Sequence, residues 1–158
     1  MPPPIHIERA TSATDEVRAL VAELEATLAA GYPPEQRHGL AVEALFQPHL
    51  RFFLARREGE TVGCGGVALF PEFAEVKRMF VRPAARGTGV AGALLSRIEA
   101  TCRGAGQPHL CLETGDRQLA AIRFYERQGF TRCAPFGDYL TMTPQSISTS
   151  VFLEKRLD

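Results

Sequence analysis

The segment 74–100, AEVKRMFVRPAARGTGVAGALLSRIEA, runs from a strand-like stretch through three glycines in six residues into a long helix-like stretch. Strand, glycine-rich turn and helix together bring unpaired amides and the positive end of a helix dipole to one point, which makes the turn an anion-binding arrangement. Its ligand depends on the residues around the glycines. A nucleoside triphosphatase loop requires G-x-x-x-x-G-K-[ST], and no lysine comes after the glycines here. Gly87, Gly89 and Gly92 do satisfy G-x-G-x-x-G, with Glu113 placed further on as a candidate ribose-binding acid, so a dinucleotide-binding protein is one reading. Against it, the five residues RPAAR separate strand from turn, and EVKRMFV carries three charges where a buried parallel strand is apolar. The chain beyond the turn is also too short for the second half of a dinucleotide domain.

The rest of the chain reads as alternating elements. IHIERA alternates as a short first strand, and Val17, Leu20, Val21, Leu24 and Leu28 then recur at helical spacing, with Ser12 or Thr14 to cap the start and Gly31 to end it. YPPEQRHG is a loop by composition, and GLAVEALFQP is a second short helix stopped before Pro48. LRFFLARREG and ETVGCGGVALF form a hairpin about the turn at Glu58 to Glu60, and AEVKRMFV is the next strand. Beyond the glycines, Leu94, Leu95, Ile98 and Cys102 mark the buried face of a helix. HLCLET is a strand, RQLAAIRFYERQG a helix stopped at Gly129, and FTRCAPF and TSVFLEKRL are terminal strands. Hairpin-linked strands followed by strand, helix and strand predict an α/β fold. Its sheet is mixed and mostly antiparallel, with one parallel pair and helices on both faces. At 158 residues, one domain over 1–158 is expected.

Two motifs resemble the GCN5-related N-acetyltransferases. Arg86, Gly87, Thr88, Gly89, Val90 and Ala91 match that family's R/Q-x-x-G-x-G/A loop, and AAIRFYERQGF matches its A-x-x-x-Y-x-x-x-G-F segment, with the right element order between them. The resemblance implies the GNAT fold and an acetyl-coenzyme-A-dependent acyltransferase. The loop, with Met79, Phe80, Val81 and Gln118, would contact the coenzyme. Gln118 stands where many members have asparagine, which leaves the local contact to the pantetheine arm open. Tyr125 matches the tyrosine assigned as general acid near the coenzyme sulfur, and Glu75 stands at the position some members use for a general base, with Glu113 as its rival. A main-chain N–H at Phe80 or beside it would hold the oxyanion.

By the same resemblance the acceptor site lies in two loops. Tyr32, Arg37 and His38 belong to one, Phe136, Asp138 and Tyr139 to the other, with Arg37 for a carboxylate, Asp138 for an ammonium and His38 given no role. The acceptor is then a small amine or an amino acid. A non-catalytic acyl-coenzyme A sensor is the alternative of a different class. Zero formal net charge gives no footprint for nucleic acid or an anionic membrane. Cys64, Cys102, Cys111 and Cys133 lack zinc spacing and read as small buried residues, so no metal is expected. The N-terminal residues lack a leader pattern and no stretch has membrane-span length, which makes the cytoplasm the expected compartment. A homodimer paired through the edge strand TSVFLEKRL is the assembly the resemblance suggests.

Overall fold

A computed structural model describes residues 3–158; the first two residues of the N-terminal segment lie outside it. The chain forms β1 (His6–Ala10), α1 (Asp15–Ala29), β2 (Leu50–Arg57), β3 (Glu60–Leu69), β4 (Ala74–Val81), α2 (Val90–Gly104), β5 (His109–Gly115), α3 (Leu119–Arg127), β6 (Thr131–Arg132) and β7 (Ser150–Arg156). The strands make one sheet in the order β1-β2-β3-β4-β5-β7-β6, antiparallel except for the β4–β5 pair. This is the mixed sheet expected from the element order.

Alternation explains the two faces. In β2, Phe52 and Leu54 point to α1, where they meet Val17, Leu20 and Val21, while Phe53 and Ala55 point to α2 and meet Leu94, Leu95 and Ile98. A strand buried on both sides must be apolar at every position, which is why LRFFLA shows no period of two. Full burial of each large aliphatic side chain here stabilises by about 1.5–3 kcal/mol. α1 starts where Thr14 accepts a hydrogen bond from the Val17 amide at 3.3 Å, and its last turn ends at Ala30 rather than at Gly31. The hairpin turn has Glu58 and Gly59 both at positive φ, 53° and 80°, the backbone of a type I′ connection.

Three expectations are corrected. GLAVEALFQP makes only a 3-10 turn, Val42–Phe46. FTRCAPF pairs as a strand over two residues alone, since Pro135 removes a ladder donor just beyond them. TSVFLEKRL is no edge strand: β7 lies between β5 and β6, and it is paired to β5 along its whole length. Among the described residues no helix is long and apolar enough to cross a membrane.

Candidate active site

A break in the sheet creates the site. β4 and β5 pair only at Ala74 with Leu110 and at Glu75 with Cys111; past that point β4 stays with β3 and β5 with β7, and a cleft of about 760 Å³ opens between them. α1, the loop after it, the start of α2 and α3 close its sides.

A bulge in β4 sets what faces the cleft. Gly66 pairs with Lys77 and Cys64 with Phe80, so Gly65 faces two residues, and Arg78 sits at φ 53°. The extra residue shifts the pleat by one. Ala74 and Val76 join the α2 side of the core before the bulge, whereas Phe80 joins the α1 side after it. Arg78 is turned toward α1, where its guanidinium pairs with Glu25 and Nε donates to the Leu40 carbonyl at 3.0 Å.

At the cleft's far end, the glycine turn carries the features its sequence promised. Gly87 and Gly89 have φ of 74° and 93°, a region that glycine enters without a Cβ penalty. The amides from Gly87 to Gly92 meet no backbone or side-chain acceptor among the described residues. Arg57 ties the turn down from outside, donating to Thr88 Oγ1 at 2.9 Å and to the Thr88 carbonyl at 3.1 Å. Arg86 folds back to donate to the Val81 carbonyl at 3.1 Å, with its guanidinium over the Phe80 ring. Six free amides at a helix N-terminus fit a pyrophosphate.

At the fork, Glu75 is buried. Its Oε2 accepts a hydrogen bond from the Tyr139 hydroxyl at 2.7 Å and lies 2.9 Å from Lys77 Nζ. Burial and the charges of Glu75 and Glu113 push the Tyr139 hydroxyl far above the usual tyrosine range. Glu113, one strand over, accepts from Ser150 Oγ at 2.6 Å. Its burial raises the carboxyl above the ordinary range, with Ser150 and His38 opposing. Tyr125 lies on the α3 wall, 5% exposed, and burial alone pushes its hydroxyl upward.

The two loops expected to bound the acceptor do meet. Gln36 Nε2 donates to Ser148 Oγ at 3.0 Å, Ser146 Oγ donates to the Glu35 carbonyl at 2.9 Å, and His38 Nε2 lies 2.9 Å from the Ser146 carbonyl. His38 also packs edge-on against Tyr139. Together these bonds close a strap over the fork.

Most residues singled out from sequence line this cleft: Tyr32, Arg37, Glu75 and Tyr139 near the fork, Met79, Phe80 and Val81 along β4, Arg86, Gly87, Gly89, Val90 and Ala91 at the turn, and Gln118 and Tyr125 on α3 and its cap. Thr88, Phe136 and Asp138 do not. Thr88 turns its hydroxyl to the Ala85 carbonyl. Asp138 is exposed at the start of the 3-10 turn Gly137–Thr141, where successive side chains point about 120° apart, so Tyr139 takes the cleft-facing direction. The Arg37–Asp138 clamp is therefore not assembled: Arg37 bonds Glu25 at 3.3 Å instead. Tyr32 is committed as well. Its hydroxyl accepts from the Arg117 amide at 2.8 Å, and its ring lies where a Cβ on Gly115 would sit.

Sequence reasoning gave no part to Lys77, Ser150 or His38. Lys77 was findable, since two residues along a strand return to the same face as Glu75. Ser150 was not, because its place depends on the β5–β7 register. Cys64 and Cys111 are buried and their thiols pushed up to about 12, which fits their reading as packing residues.

Comparison with known proteins agrees with this geometry. A profile described as "Acetyltransferase (GNAT) family" matches residues 17–130. An IAA acetyltransferase of Azospirillum brasilense is 43% identical over 157 residues, 98% of this chain and 99% of that protein. An aminoalkylphosphonate N-acetyltransferase of Salmonella typhimurium is 33% identical over 76% of this chain and 80% of its own. The structure of N-acetylglutamate synthase from Neisseria gonorrhoeae, complexed with coenzyme A and N-acetyl-glutamate, superposes with a TM-score of 0.75. It covers 97% of this chain and 35% of that one, at 18% identity, and it shares the fold.

Proposed function

Because the chain belongs to the acetyltransferase (GNAT) family and is an acyltransferase, we propose that it moves an acetyl group from acetyl-coenzyme A to a primary amine of a small molecule or amino acid. The observation that carries this reading is the run of six free amides, Gly87 to Gly92, at the mouth of α2 beside a cleft that Glu75 and Tyr125 both line. The pyrophosphate belongs on those amides and the pantetheine arm along the open edge of β4 past Glu75, beside Met79, Val81 and Gln118. That arrangement puts the thioester at the fork. A main-chain N–H at Phe80 or beside it is the oxyanion donor.

An alkylamine is mostly protonated at neutral pH and must lose a proton before it attacks. Glu75 is the base: both of its donors sit on Oε2, which leaves Oε1 free to take a proton directly or through water. Tyr125, kept protonated by burial, is the donor to the departing thiolate. Arg37 lines the cleft with one nitrogen on Glu25 and its Nε without a partner among the described residues, and that unmet donor supports it as the group for an acceptor carboxylate. The literal G-x-G-x-x-G match and the non-catalytic sensor are both set aside by the family membership.

The test is release of free thiol from acetyl-coenzyme A, measured against a panel of primary amines with the acetylated product identified by mass. Amine-independent hydrolysis alone would defeat the reading. Glu75→Gln is expected to lose turnover most at low pH, because the amine deprotonates unaided as pH rises. An unchanged pH–rate profile would remove Glu75 from the mechanism.

A further inference from the structure

The two carboxylates at the fork differ in how their charge is met. Glu75 has a lysine at 2.9 Å and a tyrosine hydroxyl at 2.7 Å on one oxygen. Glu113 has no cation within ion-pair distance among the described residues, and its donor is the Ser150 hydroxyl. It is nonetheless half-buried on the cleft wall, on the strand next to Glu75. Burying a carboxylate without a counter-charge is costly, and the group either keeps a proton or gains a cation.

We propose that Glu113 is the docking carboxylate for the acceptor's ammonium group, so that the cleft selects aliphatic primary amines, charged at neutral pH, over hydroxyl and arylamine acceptors. This deepens the acetyltransferase reading and rests on it. Lys77 neutralises Glu75, so an arriving ammonium is drawn to the neighbouring carboxylate, which has a hydroxyl donor and no cation among the described residues. Glu113 then presents the amine to the fork, where Glu75 takes its proton. The assignment also fills the place that the sequence had given to Asp138, which stands outside the cleft.

The groups facing Glu113 are Ser150 on β7, Glu75 and Lys77 on β4, His38 in the strap, and Tyr139 beside Glu75. In the free protein, burial raises the Glu113 carboxyl above its ordinary range. A bound ammonium favours the charged form, so it moves the titration to lower pH.

The experiment is a carbon-13 titration of glutamate side chains in the full chain with coenzyme A bound, with and without n-propylammonium. Glu113→Gln and Glu75→Gln assign the two resonances. The Glu113 midpoint should fall with n-propylammonium and stay fixed with n-propanol. An unmoved midpoint, or a shift on Glu75 alone, would overturn the docking role. In steady state, Glu113→Gln should raise the KM for propylamine about tenfold or more, the scale of one charge-assisted hydrogen bond, with a smaller change in kcat. The reverse split would also overturn it. Ammonium docking without thiol release from any primary amine would sink the acetyltransferase reading and leave the docking site. Thiol release with no response at Glu113 would do the opposite.

Discussion

Tyr125 shows how one side chain is prepared by packing alone. Its ring meets Phe124 and Phe130 edge-on, and its hydroxyl finds no hydrogen-bond partner among the described residues, although it borders the cleft. Burial raises the hydroxyl, so the proton stays on the oxygen at every pH at which the enzyme would be assayed. Under the proposed mechanism, Tyr125→Phe keeps the ring packing and removes only the proton. Turnover is expected to fall roughly a hundredfold, at the low end for general acid catalysis because the coenzyme thiolate is itself a fair leaving group. The Kd for acetyl-coenzyme A, measured by calorimetry, should not change, and full activity in the variant would deny Tyr125 the role. The tyrosine was legible because it falls in a spaced motif with Gly129 and Phe130. Glu75 was legible as a position but not as an environment: alternation with Val76 suggests a solvent-facing charge, whereas Tyr139, 64 residues away in sequence, covers it. Contacts of that range leave no local trace.

Among elements, the turn before α2 and the bulge in β4 differ in what writes them into the sequence. Gly89 caps α2 at φ 93°, ψ 3°, and only glycine takes that conformation without strain; the residue therefore announces the turn. Gly89→Ala is expected to cost about 1–3 kcal/mol of stability in denaturant unfolding, the usual penalty for a forced left-handed residue. It should also weaken acetyl-coenzyme A binding, by tilting the free amides next to it. Loss of stability with unchanged affinity would show that the turn serves the fold and not the ligand. Arg78 announces nothing. It takes φ 53° without glycine's freedom because Glu25 and the Leu40 carbonyl hold its guanidinium on the α1 side, so the bulge is fixed by tertiary contacts. The strap is hidden for a similar reason, since its bonds join residues more than a hundred apart in sequence.

For the whole molecule, the sheet's one parallel pair is both the shortest junction in its interior and the opening of the cleft. β4 and β5 share two register positions, while β2–β3 and β5–β7 are paired over seven or more. Two nearly complete antiparallel halves thus meet at Glu75: α2 packs on β2, β3 and β4, α3 lines the cleft from the β5 side, and one buried core joins Leu94, Leu95 and Ile98 to Leu110, Leu112 and Leu153 across the join. We propose that residues 1–158 act as one domain whose halves are tied by that shared core and, in the working enzyme, by the coenzyme lying between them. A ligand that binds only the native state stabilises it by RT ln(1 + [L]/Kd), about 2.7 kcal/mol at a hundredfold excess over Kd. In a chain of this length that corresponds to a rise in Tm of roughly 5–10 °C. Acetyl-coenzyme A should produce that rise as one sharpened transition, and NAD should produce none. Two separate transitions without ligand, merging when acetyl-coenzyme A is added, would mean that the halves unfold independently and that the coenzyme, not the core, joins them. A rise with NAD in place of acetyl-coenzyme A would assign the six amides to a dinucleotide and remove the pyrophosphate site on which the proposed chemistry depends.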